Sequence, residues 1–139
     1  MPASIFKSFM SKVLKRSNCR FFLMTGNNID ELKIMDEIIE SEYKEYCTPL
    51  NNFTIKEILP IIPNCQIAIC NDSSFSHLSA GLGIKTIVLM VDTPLIYGSY
   101  NKNMYPILPE GETNVTHDTL GKDKINPEEI FNKFEKLLG

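Results

Sequence analysis

The sequence predicts an α/β layer structure with a mostly parallel sheet covered on both faces. Short apolar runs alternate with segments whose apolar residues recur at helical spacing, the pattern of strands joined by crossover helices. The clearest instance lies mid-chain. The run Gln66–Cys70 leads into the polar turn Asn71–Ser74, a helix from Ser74 to Leu82 follows, and a second apolar run, Lys85–Met90, closes the unit. Strand, turn, helix and strand in that order make a right-handed βαβ crossover and a Rossmann-like three-layer domain.

Taken in order, Phe6, Phe9, Met10, Val13 and Leu14 mark an amphipathic helix over Ser4–Arg16. Arg20–Thr25 reads as a strand that Gly26-Asn27-Asn28 turns out of. Leu32, Met35, Ile39, Tyr43 and Tyr46 mark a second helix, with Asp30 and Glu31 in a first turn whose dipole favours negative charge. Glu45–Thr48 reads as a short strand. Thr54-Ile55-Lys56-Glu57 is a capping box, and Pro60 keeps the helix it starts short. After the βαβ unit, a long loop covers Val91–Asn103. Tyr105–Leu108 suits an edge strand because Pro106 lacks an amide donor. The segment with Gly111, Asn114 and Gly121 reads as the mobile part of the chain. Asn126-Pro127-Glu128-Glu129 opens the last helix, whose apolar face is Ile130, Phe131, Phe134, Leu137 and Leu138.

The chain has 139 residues, enough for one domain with its own core. A net charge of −3 with no Lys/Arg cluster excludes a nucleic-acid binder. Lys12, Lys15, Arg16 and Arg20 read as a solvated helix face. Cys19, Cys47, Cys65 and Cys70 form no CxxC pair, so no zinc site is expected and Cys65 and Cys70 read as small core side chains. The absence of an apolar h-region and of any span-length apolar run points to the cytoplasm.

The chemistry concentrates after the strand Gln66–Cys70. Asp72, Ser73, Ser74, Ser76 and His77 fall within six residues at a helix start. Free amides there attract anions, phosphate above all, and open α/β sheets place ligands at the carboxyl ends of their strands. The amides of Ser74, Phe75 and Ser76, the hydroxyls of Ser73 and Ser74, and His77 are the candidate donors. Asp72 would accept turn amides and shape the loop, or reach a sugar hydroxyl. An ordinary helix cap competes with this reading. A serine hydrolase does not fit: His77 lies one helical turn from the serines and no GxSxG elbow is present.

These residues carry a resemblance. NDSSFSHLSAGLGIKTIVLMVDTP resembles the signature of bacterial lipopolysaccharide heptosyltransferases, the ADP-heptose-using glycosyltransferase family 9, whose pattern is Asp-Thr-Gly-x-x-His-Leu-x-Ala-Ala, a strand, then Gly-Pro-Thr-x-Pro. Asp72, His77, Leu78, Ala80, Gly83, Thr93 and Pro94 match it. TGNNIDE, YGSYNKN (Tyr97–Asn103) and INPEEIFNKFEKLL are similar to further parts of the same family. Ser74 stands where the pattern has Gly, and Ser73 where it has Thr.

The resemblance implies the carboxyl-terminal, donor-binding half of a GT-B glycosyltransferase. It implies a site for a nucleotide sugar such as ADP-heptose made of Asp72, Ser73, Ser74, Phe75, His77, Gly26, Asp30, Glu31, Phe53 and Thr93. Asp30 is in register with the family's ribose-binding acid, and Glu31 is the alternative. The backbone of Phe53 is placed at the adenine, whereas the sequence by itself makes Phe53 a core or staple residue.

No metal and no cofactor are implied, since the ADP-sugar is the donor substrate. The acceptor, a lipopolysaccharide core or other glycan, would be held by the amino-terminal half with its general base. This chain by itself is therefore expected to bind nucleotide and transfer nothing. Peripheral attachment at the inner face of the inner membrane, self-association, and pairing with a separate amino-terminal half stay open. The alternative function is a non-catalytic nucleotide-binding or interaction module that pairs with another chain.

Overall fold

The computed structural model describes residues 1–139 as two compact units, Pro2–Ile58 and Leu59–Gly139 with Met1. Every strand pairing is parallel, as the βαβ pattern requires. The ladders fall into two sheets, one in each unit. No helix is long and apolar enough to cross a membrane.

In the first unit, helix α1 (Ala3–Leu14) buries Ala3, Ile5, Phe9, Met10 and Val13 and packs on helix α2 (Ile29–Ile39). Strand β1 (Phe21–Leu23) pairs with β2 (Cys47–Pro49). Helix α2 ends before Tyr43 and Tyr46, which the helical spacing had included. The Ser41 hydroxyl donates to the Ile38 carbonyl at 2.5 Å and accepts the Tyr43 amide at 3.3 Å. A side chain that takes the carbonyl and the amide itself stops the ladder, and Lys44–Tyr46 continues as one 3₁₀ turn. The Thr54 box forms reciprocally, with the Thr54 amide donating to Glu57 Oε1 and the Glu57 amide to Thr54 Oγ1. Helix α3 (Ile55–Ile58) is one turn long, as Pro60 demands.

The second unit is built on strand β4 (Thr86–Leu89), which lies between β3 (Ala68–Asn71) and β5 (Met104–Ile107). Ile87, Val88, Leu89 and Met90 have no solvent exposure. A strand buried on both faces reads as a continuous apolar run. Helix α4 (Ser74–Gly81) and helix α5 (Pro127–Leu138) both pack on β4. Strand β5 carries Pro106 on the edge of its sheet. The Asn103 side chain donates to the Ala80 carbonyl at 3.0 Å and its own carbonyl accepts the Thr86 amide at 2.7 Å. One asparagine thus joins the end of α4 to the start of β4.

The 109–125 segment is not the free excursion its composition suggests. Val115 is 1 % exposed, and the Gly121 amide donates to the Val91 carbonyl at 2.9 Å. A Cβ on Gly121 would sit 2.3 Å from Pro109 Cγ, so only glycine fits there. The apolar anchors were read as loop because they are isolated between polar residues.

Cys70 is buried in β3 beside the Ser79 hydroxyl, whereas Cys65 is only half-buried. Burial pushes the Cys70 thiol from 9.0 up to about 12. The folded protein therefore keeps that proton when the unfolded chain has lost it. The resulting stability is fully present below pH 9.0 and is lost as pH rises toward about 12. Urea unfolding across that range should show a falling free energy, and the fall should shrink in Cys70→Ala.

Candidate functional site

The turn after β3 is organised by a serine that the family pattern does not single out. Ser76 is fully buried. Its hydroxyl donates to the Ser73 carbonyl at 2.7 Å and accepts the Ser73 amide at 3.3 Å. Together Ser73 and Ser76 form the capping box of α4. Ser73 is fully extended, at φ −156° and ψ 173°, so the chain turns sharply into the helix. The Ser76 amide is occupied as well, donating to the Ser73 carbonyl at 3.1 Å. Ser76 is therefore removed from the set of candidate anion donors. The amides of Ser74 and Phe75, the first two of the helix, keep no partner within the chain. Ser74 is exposed and its side chain makes no hydrogen bond.

His77 stands one turn further on, half-exposed. Its Nδ1 lies 2.6 Å from the Tyr100 hydroxyl, and the two rings stack with centroids 5.6 Å apart and 21° between planes. Its Nε2 lies 3.6 Å from Asp72 Oδ1, whose side chain is mostly buried. When Tyr100 donates to Nδ1, the ring proton sits on Nε2, on the side of Asp72. Asp72 accepts none of the turn amides; Ser76 takes the Ser73 amide, and Asp72 faces His77. Tyr100 lies in the long loop after β4, and a contact across 23 residues leaves no local pattern in the sequence.

Thr93 follows β4, and its Oγ1 is buried without a partner. Asp92 beside it lines a cavity of about 270 Å³ together with Leu120 and Lys122.

The remaining candidates belong to the other unit. The Gly26 amide donates to Glu31 Oε2 at 2.6 Å, so these two satisfy one another. Asn28 caps α2 by accepting the amides of Asp30 at 2.8 Å and Glu31 at 3.4 Å. That leaves the exposed Asp30 carboxylate without a partner. Phe53 is 46 % exposed, which corrects its reading as a core side chain. It sits at the entrance of α3, where a chain too short to cover it follows. A shallow groove of about 420 Å³ in this unit is lined by Lys7, Ser8, Ser11, Lys12, Lys15, Glu42 and Tyr43, on α1 and the segment after α2.

Because Ser76 supplies two hydrogen bonds from a buried position, Ser76→Ala should destabilise the second unit by about 1–3 kcal/mol. Urea unfolding monitored by circular dichroism measures it.

Comparison with known proteins adds three findings. The family model described as glycosyltransferase family 9 (heptosyltransferase) matches residues 2–124. The solved structure of the E. coli ADP-heptose lipopolysaccharide heptosyltransferase II is similar at a TM-score of 0.75 with 19 % identity, over 99 % of this chain and 41 % of that one. E. coli heptosyltransferase WaaC with ADP is similar at a TM-score of 0.77 with 18 % identity, over 98 % of this chain and 39 % of that one. The chain thus spans about two fifths of the length of either enzyme. Curated protein sequences give no match.

Proposed function

The chain belongs to glycosyltransferase family 9, and from that premise we propose that it is a nucleotide-sugar donor module, with the diphosphate at the entrance of α4. The observation that carries this is the pair of unpartnered amides on Ser74 and Phe75, beside a His77 ring clamped by Tyr100 and Asp72. When a sugar leaves a nucleoside diphosphate, negative charge grows on the outer phosphate. Fixed donors aimed at that charge lower the barrier because they need no reorganisation. The two amides and the α4 dipole supply such donors. Ser74 adds a hydroxyl where the family pattern has a glycine.

On this reading the transfer is an inverting displacement, and the share of this chain is to hold the donor and stabilise the departing diphosphate. ADP-heptose is the proposed donor and a lipopolysaccharide-core glycan the proposed acceptor, by analogy with the family. The proposed setting is cytoplasmic, at the inner face of the membrane where such acceptors are built. In the first unit, the Asp30 carboxylate has no partner, whereas Glu31 is engaged with Gly26. A second reading has one observation in its favour: Ile96, Tyr97 and Tyr100 are exposed by 59 %, 47 % and 56 %. Such a patch fits an interaction module that binds another chain.

Calorimetric titration with ADP separates the two readings. Ser74→Pro is the decisive variant. Proline is favoured at the first position of a helix, and the extended Ser73 before it is compatible. The substitution removes one of the two amides and spares the helix. ADP should bind the unaltered chain, and Ser74→Pro should bind it about tenfold more weakly at an unchanged melting temperature. An unaltered chain that binds no ADP, or equal affinity in the variant, rejects the diphosphate site.

Asp30→Ala should change stability by less than about 0.5 kcal/mol, since its exposed carboxylate has no partner. Glu31→Ala should lower stability more, because it removes the acceptor of the Gly26 amide. Thermal melts measure both.

A further inference from the structure

The groove along α1 has no part in the donor reading. It holds about 420 Å³, within the range of small-molecule sites. One wall is the α1 face with Lys7, Ser8, Ser11, Lys12 and Lys15, and the other is Glu42 and Tyr43.

The α1 wall follows from helical spacing. Lys7, Ser11 and Lys15 recur every four residues, with Ser8 and Lys12 in the row beside them. The buried residues Ala3, Ile5, Phe9, Met10 and Val13 occupy the opposite face. Residues 3–16 hold four basic side chains and no acidic one, in a chain whose net charge is −3. Folding alone does not call for this pattern. Like charges three and four residues apart, such as Lys12 with Lys15 and Arg16, repel each other on a helix surface. The helix dipole favours a cation in the last turn, and Lys7 lies outside it. Nor is the face simply solvated, as its composition suggests. Lys7 and Lys12 are half-buried, so their stems lie on the protein while their ammonium groups reach water.

The second wall is fixed in place. The Ser41 hydroxyl that ends α2 accepts the Tyr43 amide, so Glu42 and Tyr43 are held beside α1. Tyr43 leads through the 3₁₀ turn Lys44–Tyr46 straight into β2. Phe21 of β1 is in register with Cys47 of β2, so the amino ends of the two strands lie side by side, with the groove at that edge. Gly26, Asp30, Glu31 and Phe53 follow the carboxyl ends of the same strands. The groove is therefore at the edge opposite the donor candidates of its unit.

We propose that the α1 groove is a separate site for a phosphorylated polyol. The three ammonium groups and the hydroxyls of Ser8 and Ser11 bind the phosphoryl group. Lys7 and Lys15 lie about 12 Å apart along the helix axis, which leaves room for the polyol beside its phosphate. Glu42 repels a bare anion but accepts hydrogen bonds from polyol hydroxyls, and Tyr43 offers a ring face and a hydroxyl. The polyol phosphate is either free in solution or the headgroup of an anionic lipid, and the chemistry that the groove recognises is the same for both. This site does not depend on the diphosphate reading of α4.

The test uses the whole chain, with glycerol 1-phosphate and inorganic phosphate as soluble probes and phosphatidylglycerol vesicles as the lipid probe. Backbone NMR signals report each site separately: Ser8, Ser11 and Tyr43 for the groove, Ser74 and Phe75 for the α4 entrance. Glycerol 1-phosphate should shift the groove signals. Lys7→Gln combined with Lys15→Gln should weaken it about tenfold, because glutamine keeps the helix propensity of lysine and removes the charge. Lys33→Gln, exposed on α2 and outside the groove, should leave affinity within about twofold. Glu42→Gln should tighten inorganic phosphate severalfold and glycerol 1-phosphate less. Vesicle co-sedimentation that the double variant abolishes supports the site and assigns its phosphate to lipid. Groove shifts with glycerol 1-phosphate and no vesicle binding support it and assign a soluble ligand. Groove signals unmoved by glycerol 1-phosphate together with no vesicle binding overturn it. So does equal weakening in Lys33→Gln, or an equal gain for both phosphates in Glu42→Gln. Shifts confined to Ser74 and Phe75 overturn the groove and leave the diphosphate reading intact, while groove shifts support the groove whatever ADP does at α4.

Discussion

Four consecutive side chains without solvent contact, Ile87 to Met90, set the terms for the Leu59–Gly139 unit. A strand buried on both faces takes a polar side chain only where the backbone satisfies it, as the Ile84 carbonyl does for the Thr86 hydroxyl, so the polar chemistry is displaced to its ends. It needs hydrogen-bonded neighbours on both edges, which β3 and β5 supply. It needs cover on both faces, to which α4 and α5 contribute. Parallel neighbours align the carboxyl ends of β3 and β4, and the turns that leave those ends carry Asp72, Ser73 and Asp92. The site is thus a consequence of where the apolar run stops.

Within that frame, two kinds of serine do different work. Ser76 is buried and spends its hydroxyl on the backbone of Ser73, which fixes the direction of α4. Ser74 is exposed, and its amide has no partner within the chain. The division follows from helical geometry. The third helical position points back at the cap, while the first projects outward. A cap reading and a ligand reading of this turn are therefore compatible, because they fall on different residues.

Much of this was legible in the sequence. The apolar runs located β3, β4 and β5, and Pro106 located the edge, because each depends on a local pattern. The capping box at Thr54 and the helix start at Asn126 were equally plain. The end of α2 was not, since Tyr43 and Tyr46 continue its period and only the side chain of Ser41 breaks it. Phe53 looked apolar enough for a core, but its exposure depends on the brevity of α3. The partners of the site were the least legible. Tyr100 meets His77, and Gly121 meets Val91, across stretches of chain that no periodicity connects.

The contact between His77 and Tyr100 explains why a histidine suits the first turn of α4. A neutral imidazole has one donor and one acceptor, and their placement decides what it can recognise. Tyr100 can engage the acceptor at Nδ1, which directs the remaining proton to Nε2 and the Asp72 side of the ring. The stacked tyrosine also holds the ring plane. Order in this unit therefore extends from the buried strand, through the Ser76 turn, to the plane of a single imidazole ring.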